Sequence, residues 1–172
     1  MRTLVLGGAR SGKSAHAEQL LGTGPVRYVA TAADRPQDSD WAARIATHRA
    51  RRPAHWLTVE DADLVAVLDG AVAGDVVLVD DLGTWLTREL DEAGAWESPR
   101  GTLAPRCAEL VRAVAGCAAR LVLVTPEVGM GVVPATVSGR LFRDEVGALN
   151  GAVAAVCDEV LLVVAGLPLR LR

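Results

Sequence analysis

Thr3-Leu4-Val5-Leu6-Gly7-Gly8-Ala9-Arg10-Ser11-Gly12-Lys13-Ser14 opens the chain with an apolar run that suits a buried strand, followed by a stretch that cannot continue one. Gly7 to Ser14 fits the pattern GxxxxGK[ST] in full. Its glycines let the backbone turn so that successive N–H groups face phosphate oxygens. The helix that follows adds the positive end of its dipole. Lys13 is then expected to reach the β- and γ-phosphates of a nucleotide, and the Ser14 hydroxyl to ligate Mg²⁺. An ordinary Gly-rich turn is the alternative. The strand directly before and the helix directly after supply the context that a P-loop requires.

Composition adds weight to Lys13. It is the only lysine among 18 basic residues, so most basic positions in this chain accept arginine. A compact ammonium at position 13 is therefore expected to be needed there. A P-loop also wants an acidic strand end to hold magnesium. Val76-Val77-Leu78-Val79 runs directly into Asp80-Asp81, which is the Walker B pattern. Asp80 is the better candidate because it immediately ends the run. The alternative is an aspartate that caps the helix beginning near Gly83.

The rest of the chain alternates strands and helices. Strands are expected at 3–6, 26–30, 56–59, 75–79, 121–125, 159–164 and 169–171, the last after a turn at Gly166-Leu167-Pro168. Helices are expected at 13–21, 41–52, 62–68, 83–90, 103–118 and 137–157. Residues 34–40 read as a loop, and 91–101 as an acidic, mobile connection. The fold class implied is α/β and P-loop NTPase-like: a mostly parallel sheet, helices on both faces and a C-terminal antiparallel edge hairpin. With 172 residues, one domain over 1–172 is expected.

The formal net charge of −3 argues against nucleic acid as a general partner. No apolar run is long enough for a membrane span, and the first residues lack a signal-peptide pattern. Cys107, Cys117 and Cys157 form no CxxC and no zinc spacing. They read as reduced and mostly buried, consistent with a cytoplasmic protein.

The helix from Trp41 to Arg52 places Arg44, His48 and Arg51 or Arg52 on one side. Arginines disfavour the protonated imidazole, so a neutral, nucleophilic His48 is expected. The same arginines could stabilise a phosphoryl transition state. On the residues alone, a solvated basic face with a bystander histidine stands beside that reading. His16 reads as a surface residue and His55 as structural. Glu60, at a strand end, could accept hydrogen bonds from a base or sugar. Glu127 to Pro134 forms a Gly-rich loop on the ligand edge of the sheet or a mobile connection.

Taken together, GGARSGKS at 7–14, AT at 30–31, RI-x-x-HR with RPAHW across 44–56, TVE at 58–60, VLVDDLGTWL at 77–86, VTPEVGMGVVP at 124–134, FRDEVGALN at 142–150 and DEVLLVVAG at 158–166 cover nearly the whole chain. In that order and spacing the chain resembles the bifunctional adenosylcobinamide kinase/adenosylcobinamide-phosphate guanylyltransferases of cobalamin biosynthesis. The resemblance implies phosphorylation of adenosylcobinamide by ATP or GTP. It then implies transfer of GMP from GTP to adenosylcobinamide phosphate, giving adenosylcobinamide-GDP. It puts the guanylylated histidine on His48. Nucleotide contacts fall on Gly7, Gly8, Ala9, Arg10, Ser11, Gly12, Lys13, Ser14, Thr31, Ala32, Ala33, Arg49, Ala50, Arg51, Arg52, Glu60 and Asp80. It also implies a homo-oligomer, such as a trimer. Two departures stand out: Thr47 occupies the place where some relatives carry a second histidine, and Asp81 follows the acidic strand end and leaves the magnesium ligand ambiguous. A monofunctional P-loop small-molecule kinase and a nucleotide-switched binding protein remain alternatives that the P-loop alone would also satisfy.

Overall fold

The computed structural model describes residues 1–32 and 39–172, with side chains for all of these except 39–42, 44 and 48. The expected loop over 34–40 lies mostly outside the described residues. Thirteen elements follow in the order β1 (Arg2–Gly7), α1 (Lys13–Gln19), β2 (Arg27–Ala30), α2 (Ser39–Arg51), β3 (Leu57–Val59), α3 (Leu64–Asp69), β4 (Val76–Asp80), α4 (Leu82–Glu92), α5 (Ala104–Gly116), β5 (Arg120–Pro126), α6 (Val137–Val156), β6 (Glu159–Val164) and β7 (Leu167–Arg170). They build a seven-stranded sheet in the order β3-β2-β4-β5-β1-β6-β7. Every pairing is parallel except β6 with β7. The α/β expectation, with its antiparallel edge hairpin, is therefore met.

The strands are apolar on both faces because both faces are covered. Successive side chains of a strand alternate sides. Leu4, Leu6, Val77, Val79, Leu121 and Leu123 therefore join one core, with residues of α3 to α6. Val5, Leu78, Val122 and Val124 point the other way, into a smaller core with Ala17 and Leu21 of the first helical region, Tyr28 and Trp56. Trp85 and Leu86 of α4 are fully buried in the larger core.

Two local readings change. The turn into β7 is Ala165-Gly166, with φ of 51° and 80°, and β7 already begins at Leu167. Two left-handed residues in sequence match the twist of the flanking strands. Pro168 therefore sits within the strand rather than in the turn. It is tolerated there because β7 is an edge strand. The stretch 91–101 is also not the mobile connection that its composition suggests. Ala95 is buried, Trp96 packs near Phe142 with ring centroids 6.4 Å apart, and the Gly101 amide donates to Glu145 of α6 at 2.6 Å. Arg100 pairs with Asp144 at 2.6 Å.

The end of β5 is fixed from α6. The buried Asn150 accepts from the Thr125 hydroxyl at 2.6 Å and donates to the Pro126 carbonyl at 3.0 Å. Asn150→Leu would leave both partners unsatisfied in the core. It is expected to lower the unfolding free energy by about 2–4 kcal/mol, measured by urea denaturation. A loss under about 1 kcal/mol would show that the two groups find other partners.

Candidate functional site

A cavity of about 390 Å³ opens at the carboxyl ends of the strands, where ligands bind in sheets of this kind. Its floor is the P-loop. Gly7 and Gly12 are required there by space. A side chain on Gly7 would meet Ser11 and the Val163 carbonyl, and Gly12 has φ of 92° with Gly166 close against it. The loop is further held by the Ser11 amide on the Gly8 carbonyl at 3.2 Å and the Gly166 amide on the Ser11 carbonyl at 2.8 Å. Lys13 is buried, and its ammonium donates to the Gly8 carbonyl at 3.3 Å. That contact keeps the charge over the loop whose amides face the phosphate position.

β4 delivers the acidic pair, and the two carboxylates have different tasks. The Ser14 hydroxyl donates to Asp80 Oδ1 at 3.1 Å, and the Tyr28 hydroxyl donates to Asp80 Oδ2 at 2.5 Å. Asp81 instead caps α4: its carboxylate accepts from the Thr84 amide at 2.8 Å, and the Asp81 amide donates to Thr84 Oγ1 at 3.4 Å. The helix-capping reading is thus met by Asp81, while Asp80 stands beside Ser14 at the cavity. Two oxygen donors side by side, Ser14 Oγ and Asp80, are the donor set that a hard divalent cation takes when phosphate and water complete its shell. Burial, and after it the Asp80 charge, push the Asp81 carboxyl above its ordinary value. Burial and then Asp80 also push the Tyr28 hydroxyl up, so Tyr28 remains a proton donor.

Among the predicted nucleotide contacts, Ala9, Lys13, Ser14, Ala32, Arg49, Arg52, Glu60 and Asp80 line the cavity. Gly7, Gly8, Arg10, Ser11 and Gly12 form the loop beneath. Thr31 is buried behind the wall, where its hydroxyl donates to the Asp81 carbonyl at 2.6 Å and lies 2.5 Å from Thr84 Oγ1. Ala50 and Arg51 are exposed, and Arg51 pairs with Glu18 of α1 at 3.1 Å. Arg49 reaches Glu60 at 2.9 Å. Ala33, and the side chains of Arg44 and His48, lie outside the described residues. Position 48 lies on α2 three residues after Ile45, which lines the cavity. His16 is half-buried, with Nε2 unpartnered among the described residues, and His55 is exposed.

Several cavity residues were not singled out in the sequence. Tyr28, Gly83, Thr84, Thr87, Pro126, Val128 and Phe142 all line it. The chain has one tyrosine and one phenylalanine, and both are here. That scarcity was a signal available from composition. A side chain on Gly83 would run into the Pro126 ring, so the start of α4 and the end of β5 close the wall together. The Gly-rich loop after β5 does sit on this edge: the Glu127 amide donates to the Gly7 carbonyl at 3.0 Å.

The family described as cobinamide kinase / cobinamide phosphate guanyltransferase matches residues 3–171. The chain belongs to that family. It is 44% identical to the bifunctional adenosylcobalamin biosynthesis protein CobP of Pseudomonas aeruginosa, with 100% of this chain and 98% of that protein aligned. It is 40% identical to the proteins of the same description named CobU from Salmonella typhimurium and Escherichia coli, over the full length of both partners. Among solved structures, the P4 protein of bacteriophage phi6 in complex with ADP superposes with a TM-score of 0.50 at 16% identity. That match covers 97% of this chain and 52% of the phage protein. At that identity the likeness supports the fold alone.

The Asp81 environment gives a pH signature. A carboxyl whose native pKa is raised above its unfolded value of 3.8 favours the fold most below that value. The contribution is lost as pH climbs through the native pKa. Asp81→Asn keeps an acceptor for Thr84 and removes the buried charge. Its urea midpoint is expected to gain on that of the parent protein as pH rises from about 4 to 8. Parallel pH profiles for the two proteins would refute this account of Asp81.

Proposed function

We propose that the protein phosphorylates adenosylcobinamide and then guanylylates the product, with both reactions drawing on the one P-loop nucleotide site. The observation that carries this is the pairing of Lys13, Ser14 and Asp80 at the cavity floor with an arginine-bearing helix, α2, on its wall. Full-length relatedness to proteins named for bifunctional adenosylcobalamin biosynthesis supports it.

In the first reaction the P-loop amides and Lys13 hold the β- and γ-phosphates of ATP or GTP. The hydroxyl of the aminopropanol arm attacks the γ-phosphorus, and the nucleoside diphosphate leaves. In the second, an imidazole nitrogen of His48 attacks the α-phosphorus of GTP and pyrophosphate leaves, giving a phosphoramidate. The corrinoid phosphate then displaces the histidine, and adenosylcobinamide-GDP is released. Ser14 and Asp80 would hold Mg²⁺, which when bound offsets charge on the phosphate oxygens. Arg49 and Arg52 line the same space and add positive charge there.

A homo-oligomer such as a trimer is part of the proposal. It is supported by the edge strand β7, where Leu167 and Leu169 are exposed, as is Leu171 just beyond. A reducing, cytoplasmic setting is supported by three free thiols. No helix among the described residues is long and apolar enough to cross a membrane.

GTP labelled at the α-phosphorus separates the readings. The protein is expected to acquire acid-labile label that His48→Ala lacks. The same variant should retain γ-phosphate transfer to adenosylcobinamide. Label that persists in His48→Ala would overturn the role of His48. Transfer of the γ-phosphate alone would leave a monofunctional kinase, and hydrolysis with no acceptor product would leave a switch protein.

A further inference from the structure

Tyr28 sits in the middle of β2, 1% exposed, and touches two parts of the site at once. Its hydroxyl donates to Asp80 Oδ2, and the other Asp80 oxygen faces Ser14. Its ring carries the Arg52 guanidinium, whose central carbon lies 3.7 Å from the ring centroid. Trp56 packs against the same ring, with centroids 6.2 Å apart and planes 29° from parallel. Arg52 Nε is buried and has no hydrogen-bond partner among the described residues. The ring stack, not a hydrogen bond at that nitrogen, holds the head group in place. Arg52 and Asp80 both line the cavity.

We propose that Tyr28 is a positioning residue that fixes the Asp80 carboxylate through its hydroxyl and the Arg52 guanidinium through its ring. A carboxylate at a strand end can rotate about its terminal torsion. A hydroxyl bound to one oxygen removes that freedom and leaves the other oxygen beside Ser14. Such outer contacts typically change metal affinity by about 10–100-fold when lost. The stacked guanidinium is placed over the same site by an attraction that desolvation strengthens. Tyr28 itself need touch neither metal nor nucleotide. One aromatic side chain thus sets the spacing between the metal-holding carboxylate of β4 and a nucleotide-facing cation just beyond α2.

The inference rests on the reading that Asp80 holds the metal and Arg52 faces the nucleotide, so the experiment tests each link separately. Mn²⁺ binding to the GDP complex is followed by electron paramagnetic resonance. GDP affinity is followed by calorimetry in EDTA. Tyr28→Phe keeps the ring and loses the hydroxyl. It is expected to weaken Mn²⁺ about tenfold while metal-free GDP affinity stays within about twofold. Tyr28→Leu loses both contacts and should also weaken metal-free GDP to the level of Arg52→Gln. Adding Arg52→Gln to Tyr28→Leu should then cost nothing more. Should Tyr28→Leu fail to fold, the Tyr28→Phe arm decides alone.

Asp80→Asn is the reference. Unchanged Mn²⁺ affinity in Asp80→Asn overturns the metal reading and this proposal with it. Weakened Mn²⁺ in Asp80→Asn with none in Tyr28→Phe overturns the proposal for Tyr28 alone. Equal losses of Mn²⁺ and metal-free GDP in Tyr28→Phe would mark a general packing role and also overturn it.

Discussion

The close approach of the β1–α1 loop to the β6–β7 turn is the constraint on which the site depends. Gly12 lies against Gly166, the Gly166 amide holds the Ser11 carbonyl, and the Val163 carbonyl stands where a Gly7 side chain would be. The loop can curl only because those positions carry no Cβ. Its amides then face one point at the sheet edge, and α1 starts with its dipole aimed at the same point. β1 is central because it must be flanked on both sides: β5 brings Pro126 and the loop that bonds back to Gly7, and β6 leads into the turn that braces Gly12. The C-terminal hairpin, remote in sequence, thus braces the P-loop at the cavity floor.

The adjacent aspartates show how one strand end serves two needs. Asp80 is the last residue of β4, and Asp81 is the N-cap of α4. Asp80 faces Ser14 and Tyr28, while Asp81 turns to the first amides of α4. The cap matters to the site because α4 carries Gly83, Thr84 and Thr87 into the cavity wall. It has an electrostatic cost, since a second carboxylate is enclosed beside the first, and its pKa rises in consequence. Lys13 lowers that cost, as its charge favours the ionised Asp81.

Much of this was legible in the chain itself. The P-loop, the acidic strand end and the strand–helix alternation are local patterns, each readable from neighbouring residues. What was hidden depends on contacts between distant segments. Tyr28 in a run of Val26 to Ala30 reads as an ordinary core aromatic. Its bond to a residue 52 positions away follows only from the pairing of β2 with β4. The stretch 91–101 looks mobile by composition because its partners, Phe142, Asp144 and Glu145, are all on α6. Pro168 looked like a turn residue because proline in a strand is unfavourable. That penalty disappears on an edge, and edge position is a property of the sheet.

The described side chains of α2, the helix that bears His48, differ in burial from those of α3 to α6. Among the described side chains of α2, Ile45 is half-buried and Ala43, Ala46, Thr47, Arg49, Ala50 and Arg51 are exposed. The described side chains of α2 include the exposed pair Arg49–Glu60 and the pair Arg51–Glu18. Pairs of that kind contribute about 0–1 kcal/mol each. Helices α3 to α6 bury leucine, valine or tryptophan and are held by the hydrophobic effect. Just beyond the C-terminal end of α2, Arg52 stacks on Tyr28, beside Trp56. The placement of the histidine-bearing helix and of the Asp80 carboxylate therefore converge on one buried ring. That common reference sets the cationic wall against the acidic floor of the cavity.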